Sequence, residues 1–169
     1  MNRTKRVVLH AALLFLGLLT AGTIPFDAAS REPSSDDERV TIVTARGPVV
    51  FYVELADTPA SRMRGLQGRQ SLAADSGMLF VFGVPQNVRM WMKDTLIPLD
   101  MLFIDAQGRI AKIAAQTTPL SLTPIGADAP VTAVLEVPGG SAERLGIKAG
   151  DRVEHPAFGS LQLRPSADR

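Results

Sequence analysis

Residues 99–115 read LDMLFIDAQGRIAKIAA, and this stretch decides the fold. Leu99 to Asp105 has the apolar density of a strand. Ala106-Gln107-Gly108 follows, with Gly108 suited to the left-handed position of a hairpin loop. Arg109 to Ala115 then returns as a second strand. Working outward, residues 116–130 (QTTPLSLTPIGADAP) hold three prolines and read as a loop. VTAVLEV (Val131 to Val137) is a strand. Pro138-Gly139-Gly140 turns into a short helix over Ala142 to Leu145, with Ser141 as its expected cap and Gly146 as its stop. RVEH (Arg152 to His155) is a final strand, and residues 156–169 form a tail.

Toward the N-terminus, VRMWM (Val88 to Met92) alternates like a strand, with Met90 and Met92 on one face and Arg89, Trp91 and Lys93 on the other. Gly83, Pro85 and Asn87 mark a turn before it. MLFVF (Met78 to Phe82) is apolar throughout, as in a strand covered on both faces. Thr58 is placed to cap a helix from Pro59 to about Leu66, and Pro59 fits the first helical position. Met63 and Leu66 are its expected inward side. Arg62 and Arg64 look outward or flank a groove. VTIVT (Val40 to Thr44) and VVFYVEL (Val49 to Leu55) pair across Arg46-Gly47-Pro48 as a hairpin. Seven or so short strands with two short helices argue a mainly β fold, a compact and mostly antiparallel sandwich or barrel.

The 169 residues suit one domain, and 46% apolar residues suffice for a core. Cysteine is absent, which excludes disulfides, thiolate nucleophiles and zinc–thiolate sites. The two histidines are His10 and His155, so a Ser-His-Asp triad depends on His155 alone. Arg3, Lys5 and Arg6 precede the apolar run Val7 to Thr20, and Ala28 and Ser30 are small residues before a possible cleavage. Residues 1–30 therefore read as a signal peptide, or, through residues 7–26, as an uncleaved anchor. Both readings place the rest of the chain outside the cytoplasm, periplasmic or secreted. Residues 31–39 (REPSSDDER) are a linker, and the domain spans 40–155. Without residues 1–30 the chain holds 15 basic and 16 acidic groups, since that segment carries three and one of the chain's 18 and 17. No basic field remains to attract nucleic acid.

The densest polar insertion among apolar strands is Trp91-Met92-Lys93-Asp94-Thr95-Leu96-Ile97-Pro98-Leu99-Asp100. It can bring a cation, carboxylates and a hydroxyl to the mouth of a β fold, where ligand pockets occur. It can equally be scaffold, with Asp94 and Thr95 bonding the turn and Asp100 satisfying loop amides or pairing with Lys93. GMLFVF and MWMKDTLIPLDMLFIDAQGRI, with VELADTPASRMRGLQGR upstream and AVLEVPGGSAERLGIKAGDRV downstream, resemble the DUF192 (UPF0127) family. The resemblance runs from about Val40 to Val153. It implies a small exported β-rich domain of uncharacterised activity. The family's asparagine after the Trp-Met-Lys run is Asp94 here.

Pro138-Gly139-Gly140-Ser141 before a helix offers amides that can hold an anion, but it lacks P-loop and dinucleotide spacing, which favours a turn with a cap. Met78, Met90, Met92 and Met101 could bind Cu(I), but without Cys or His beside them they read as core filler, so neither metal nor cofactor is expected. Arg62, Arg64 and Arg69 form either a solvated face or a fork for a carboxylate or phosphate. Two functions compete. One is a non-catalytic module of the cell envelope binding a small ligand or partner, with Arg64, Trp91, Lys93, Asp94, Thr95 and Asp100 as its site. The other is a hydrolase or lyase using Lys93 with Asp94 and Asp100.

Overall fold

A computed structural model describes residues 38–158. The expected signal peptide (residues 1–30), residues 31–37 of the expected linker and the tail beyond 158 lie outside the described residues. The strands are β1 (Arg39–Thr44), β2 (Gly47–Ala56), β3 (Ser76–Gln86), β4 (Leu99–Ile104), β5 (Ile110–Ala114), β6 (Val131–Pro138) and β7 (Arg152–Glu154). They build one sheet in the order β5-β4-β6-β3-β2-β1-β7. Two short helices are α1 (Pro59–Arg64) and α2 (Ser141–Leu145), and residues 156–158 form a third helical piece.

The expected hairpins β1–β2 and β4–β5 are both present. One pair departs from the antiparallel pattern: β2 and β3 run parallel. The chain between them includes α1, and such a crossover is what lets two consecutive strands point the same way. The sheet curls until its edges approach. Arg109, just before β5, bridges Arg152 of β7. The Val153 amide donates to the Gly108 carbonyl at 2.7 Å. Gly108 has φ 73°, and a Cβ there would sit 3.0 Å from the Val153 carbonyl oxygen, so the hairpin loop needs glycine twice over.

Apolar side chains fill both faces of the sheet. Ile42, Phe51, Leu79, Leu102, Ile110, Leu135 and Val153 belong to one cluster, which draws on all seven strands and so occupies the inside of the curl. Met78, Phe80, Met101, Phe103 and Val134, at alternate positions of the same central strands, form the outer cluster. Two-sided burial is why β4 and β6 are mostly apolar, with one acid each, Asp100 and Glu136. Each large side chain fully removed from water stabilises the fold by about 1.5–3 kcal/mol.

The outer face is roofed by loops, and here the sequence reading needs correction. Val88 to Met92 is not a strand of the sheet. β3 instead runs on through the expected turn to Gln86, with a register shift after Val81. The next segment leaves the sheet and pairs with the proline-containing loop: Met90 and Ile125 exchange two backbone bonds of 2.8 Å, and the Met92 amide donates to Ser121. The alternation itself survives, with Val88 and Met92 buried and Arg89, Trp91 and Lys93 exposed. Extended backbone suffices for that, with or without a ladder.

α1 is capped as expected: Thr58 accepts from the Ser61 amide, and the Ser61 side chain returns a bond to the Thr58 amide. The helix ends at Arg64, before the expected Leu66, because Gly65 leaves helical geometry at φ 49°. Met63 is 66% exposed and not inward, whereas Leu66 is buried. Arg62 causes this. Its guanidinium reaches back to the carbonyls of Asp57 (2.6 Å) and Val81 (2.8 Å), which turns the next residue, about 100° around the helix, away from the sheet.

Candidate functional site

α1, the roofing segment and the outer face of β3 and β6 enclose a pocket of about 310 Å³. Its wall is apolar: Leu66, Phe80, Phe82, Met90 and Trp91. Four cations line it, Arg62 and Arg64 from α1 and Arg89 and Lys93 from the roofing segment. Arg62 stacks over the Phe82 ring at 5.4 Å and Lys93 Nζ over Trp91 at 5.8 Å. None of the four forms an ion pair with a carboxylate among the described residues. Arg62 spends donors on the Asp57 and Val81 carbonyls, and Arg89 makes two 3.3 Å contacts with the Val88 and Ala127 carbonyls. Arg64 carries no hydrogen bond of its side chain among the described residues.

The sequence reading missed the most unusual member of the pocket. Glu136 lies in β6, and its side chain is on the outer face with Val134. Its cross-strand row runs Glu54, Met78, Glu136, Met101. Glu136 is only 3% exposed, lines the pocket, and makes no ion pair or side-chain hydrogen bond among the described residues. No side-chain oxygen counts as sealed and unsatisfied, so its carboxyl opens onto the pocket space. Burial away from water disfavours the charged form and pushes the Glu136 carboxyl up to about 8. The clue in the sequence was a lone carboxylate inside VTAVLEV. Such a residue is rarely buried without a partner.

The other proposed site residues divide. Arg64, Trp91, Lys93 and Thr95 do line this pocket. Trp91 is 46% exposed at its edge, and Thr95 is buried, its hydroxyl donating to the Lys93 carbonyl at 3.3 Å. Asp94 is exposed and does not line the pocket. Its backbone takes φ 55°, and its carbonyl accepts from Gly68 at 2.8 Å. Asn and Asp are the side chains best tolerated in left-handed geometry, so the change from asparagine preserves the turn.

Asp100 corrects the expected constellation. It is fully buried, and no ion pair joins it to Lys93 among the described residues. One carboxylate oxygen accepts from the Gln116 amide (2.7 Å) and the Gly140 amide (2.9 Å), the other from the Ala142 amide (2.8 Å). Asp100 thereby caps α2, whose own N-cap is Gly140 with no side-chain bond; Ser141 does not cap it. The amides before α2 are thus already occupied by an internal carboxylate. A Lys93–Asp94–Asp100 acid–base group does not assemble.

Elsewhere, Met78, Met92 and Met101 are core residues, and the Met92 sulfur accepts from the Thr117 hydroxyl. Arg69 pairs with Glu54. His155 Nδ1 accepts from the Ala157 amide, and its ring meets Phe158 edge-on. Among the described residues no cluster of three or more His, Cys, Asp or Glu could hold a metal ion. A wider depression of about 630 Å³ lies over Tyr52, Ser71 and Gly77; its one cation, Arg69, is paired with Glu54, and Glu38 also lines it.

Comparison with known proteins fits this architecture. A crystal structure from Sinorhizobium meliloti 1021, described as that of a "putative transcription regulator", is 45% identical with a TM-score of 0.69, over 75% of this chain and 98% of that one. A protein of unknown function from Novosphingobium aromaticivorans DSM 12444 is 44% identical with a TM-score of 0.67, over 69% of this chain and 83% of that one. The curated proteins yield no match. The family model DUF192, described as "Uncharacterized ACR", matches residues 41–155. That match spans the whole curled sheet together with the pocket on its outer face, and the chain belongs to the DUF192 family.

Proposed function

We propose that this is an exported cell-envelope domain that binds a small anionic ligand, without catalysis, in the pocket between α1 and the roofing segment. One observation carries the reading: Arg62, Arg64, Arg89 and Lys93 converge on an aromatic-walled pocket with no carboxylate of the described residues paired to any of them. Such cations gain by receiving a carboxylate or phosphate, while Trp91 and Phe82 supply stacking area. The volume suits a small molecule, being at the lower end of ligand pockets.

Two results are expected. Fractionation of a C-terminally tagged chain places it outside the cytoplasm, with a new N-terminus near Arg31 if the signal is cleaved; a cytoplasmic product refutes the export reading. In a thermal-shift and calorimetric screen of small carboxylates and phosphates, Arg64→Ala and Lys93→Ala each weaken binding at least about tenfold, as loss of one charge-assisted bond implies. Both substitutions leave unfolding free energy within about 0.5 kcal/mol, as expected for exposed positions. Binding unaffected by either substitution rules this pocket out.

A further inference from the structure

We propose that the ligand of this pocket is bipolar, with an anionic group held at the rim by Arg64 and Lys93 and a protonated amine that enters to meet the Glu136 carboxyl. The inference rests on the anion-binding reading above and adds the second end of the molecule.

Glu136 has no ion pair or side-chain hydrogen bond among the described residues. A buried carboxyl that forms no hydrogen bond costs the fold free energy. Its row neighbours, Met78 and Met101, offer only thioethers, and Leu66 and Phe80 of the same pocket are apolar. Glu54, two strands away in the same row, is held by Arg69. The charged groups facing the pocket are Arg62 and Arg64 on α1 and Arg89 and Lys93 on the roofing segment; β3 has no titratable side chain, and Asp100 of β4 is spent on the Gln116, Gly140 and Ala142 amides. None of the four cations closes on Glu136. Hence, among the described residues, no side chain partners the carboxyl, which faces the pocket.

The charges then select the ligand. A simple cation is repelled by four basic side chains on its way in. A simple anion is held at the rim but leaves Glu136 as it was. A ligand with an anion at one end and an ammonium at the other satisfies both, and a charge-assisted N–H···O bond is the strongest single bond the carboxyl can accept. Burial keeps Glu136 protonated when the pocket is empty at neutral pH. When the ammonium binds, the carboxyl proton leaves to solvent and the ligand's N–H takes its place. Binding is therefore coupled to proton release; it strengthens as pH rises toward about 8 and levels off above it.

The test uses matched probes on the purified full chain. The ω-amino carboxylates from glycine to 6-aminohexanoate are each paired with the carboxylate lacking the amine, and 2-aminoethyl phosphate is paired with ethyl phosphate. Calorimetry is run at pH 6, 7 and 9 in buffers of different ionisation enthalpy. The best amine-bearing probe should bind at least about tenfold tighter than its amine-free partner at pH 9, and the advantage should fall toward parity by pH 6. Release of close to one proton should be seen at pH 7. Glu136→Gln should remove the advantage and its pH dependence, yet leave the amine-free probe within about twofold. Equal binding of the paired probes at pH 9, or an advantage that persists in Glu136→Gln, overturns the inference. If amine-free probes bind through Arg64 and Lys93 all the same, the anion-binding reading stands alone. If no probe of either series binds, both readings fall.

Discussion

Asp100→Ala should destabilise the domain by about 3–5 kcal/mol. That exceeds any single change expected at the pocket rim. The carboxylate accepts from three backbone amides, those of Gln116, Gly140 and Ala142. Truncation leaves all three donors without their acceptor, and each buried orphan costs about 1–3 kcal/mol, less where water reaches it. The loss also removes a tie among three regions, the start of β4, the loop after β5 and the first turn of α2. That turn cannot compensate, because Gly140 provides no side chain to cap it. Asp100→Asn should cost less than alanine but remain destabilising, since one amide oxygen replaces two acceptors and the new NH₂ faces N–H groups. Met92→Ala, a large-to-small change at a fully buried site, belongs in the same range, about 2–5 kcal/mol. Urea unfolding of the three variants beside Lys93→Ala checks this. If Asp100→Ala unfolds within about 0.5 kcal/mol of the parent, the capping role is wrong.

The second large effect is a dependence of stability on pH that originates in Glu136. Its folded-state carboxyl is raised from 4.5 to about 8 by burial. Between those values the unfolded chain has lost the proton while the folded chain keeps it, so unfolding releases a proton and rising pH favours unfolding. The contribution is fully present below about pH 4.5, shrinks by about 1.4 kcal/mol per pH unit above it, and is lost once pH passes about 8. Chemical denaturation at pH 5, 6, 7 and 8.5 should show this decline. Glu136→Gln should flatten it and be the more stable protein at pH 8.5, where the parent must bury a carboxylate. The same substitution is expected to abolish recognition of an amine, so stability and binding move in opposite directions at one residue, as is common where a site retains an unsatisfied group. A parent whose stability is level from pH 5 to 8.5 contradicts the burial argument.

Much of the architecture was legible because it is local. Gly108 after an apolar run announced the β4–β5 hairpin, and Thr58-Pro59 announced the start of α1. The apolar run Met78 to Phe82 announced a strand covered on both faces. The chemistry of the segment 91–100 was legible only as an inventory. Asp94, Thr95 and Asp100 are neighbours in sequence, but one side chain lies in solvent, one in the roof of the pocket and one beneath α2. Short-range spacing cannot separate these fates, because each depends on which distant segment returns to cover the residue.

What the sequence by itself determined is the set of hairpins, the cap of α1, the alternation of Val88 to Lys93 and the membership in a family of β-rich domains. These follow from backbone preferences and from periodicity within about ten residues. What only the tertiary structure decided is the parallel pairing of β2 with β3, the departure of Val88 to Met92 from the sheet, and the assignment of carboxylates to their roles. Asp100 and Glu136 are both single acids in apolar strands. The first meets three amides brought by the loop after β5 and by α2, and becomes a structural anchor. The second meets thioethers and aromatic rings on the outer face, and is left with its acid group open to the pocket. The difference between them is the partner the fold delivers, and a buried charge takes its meaning from that partner.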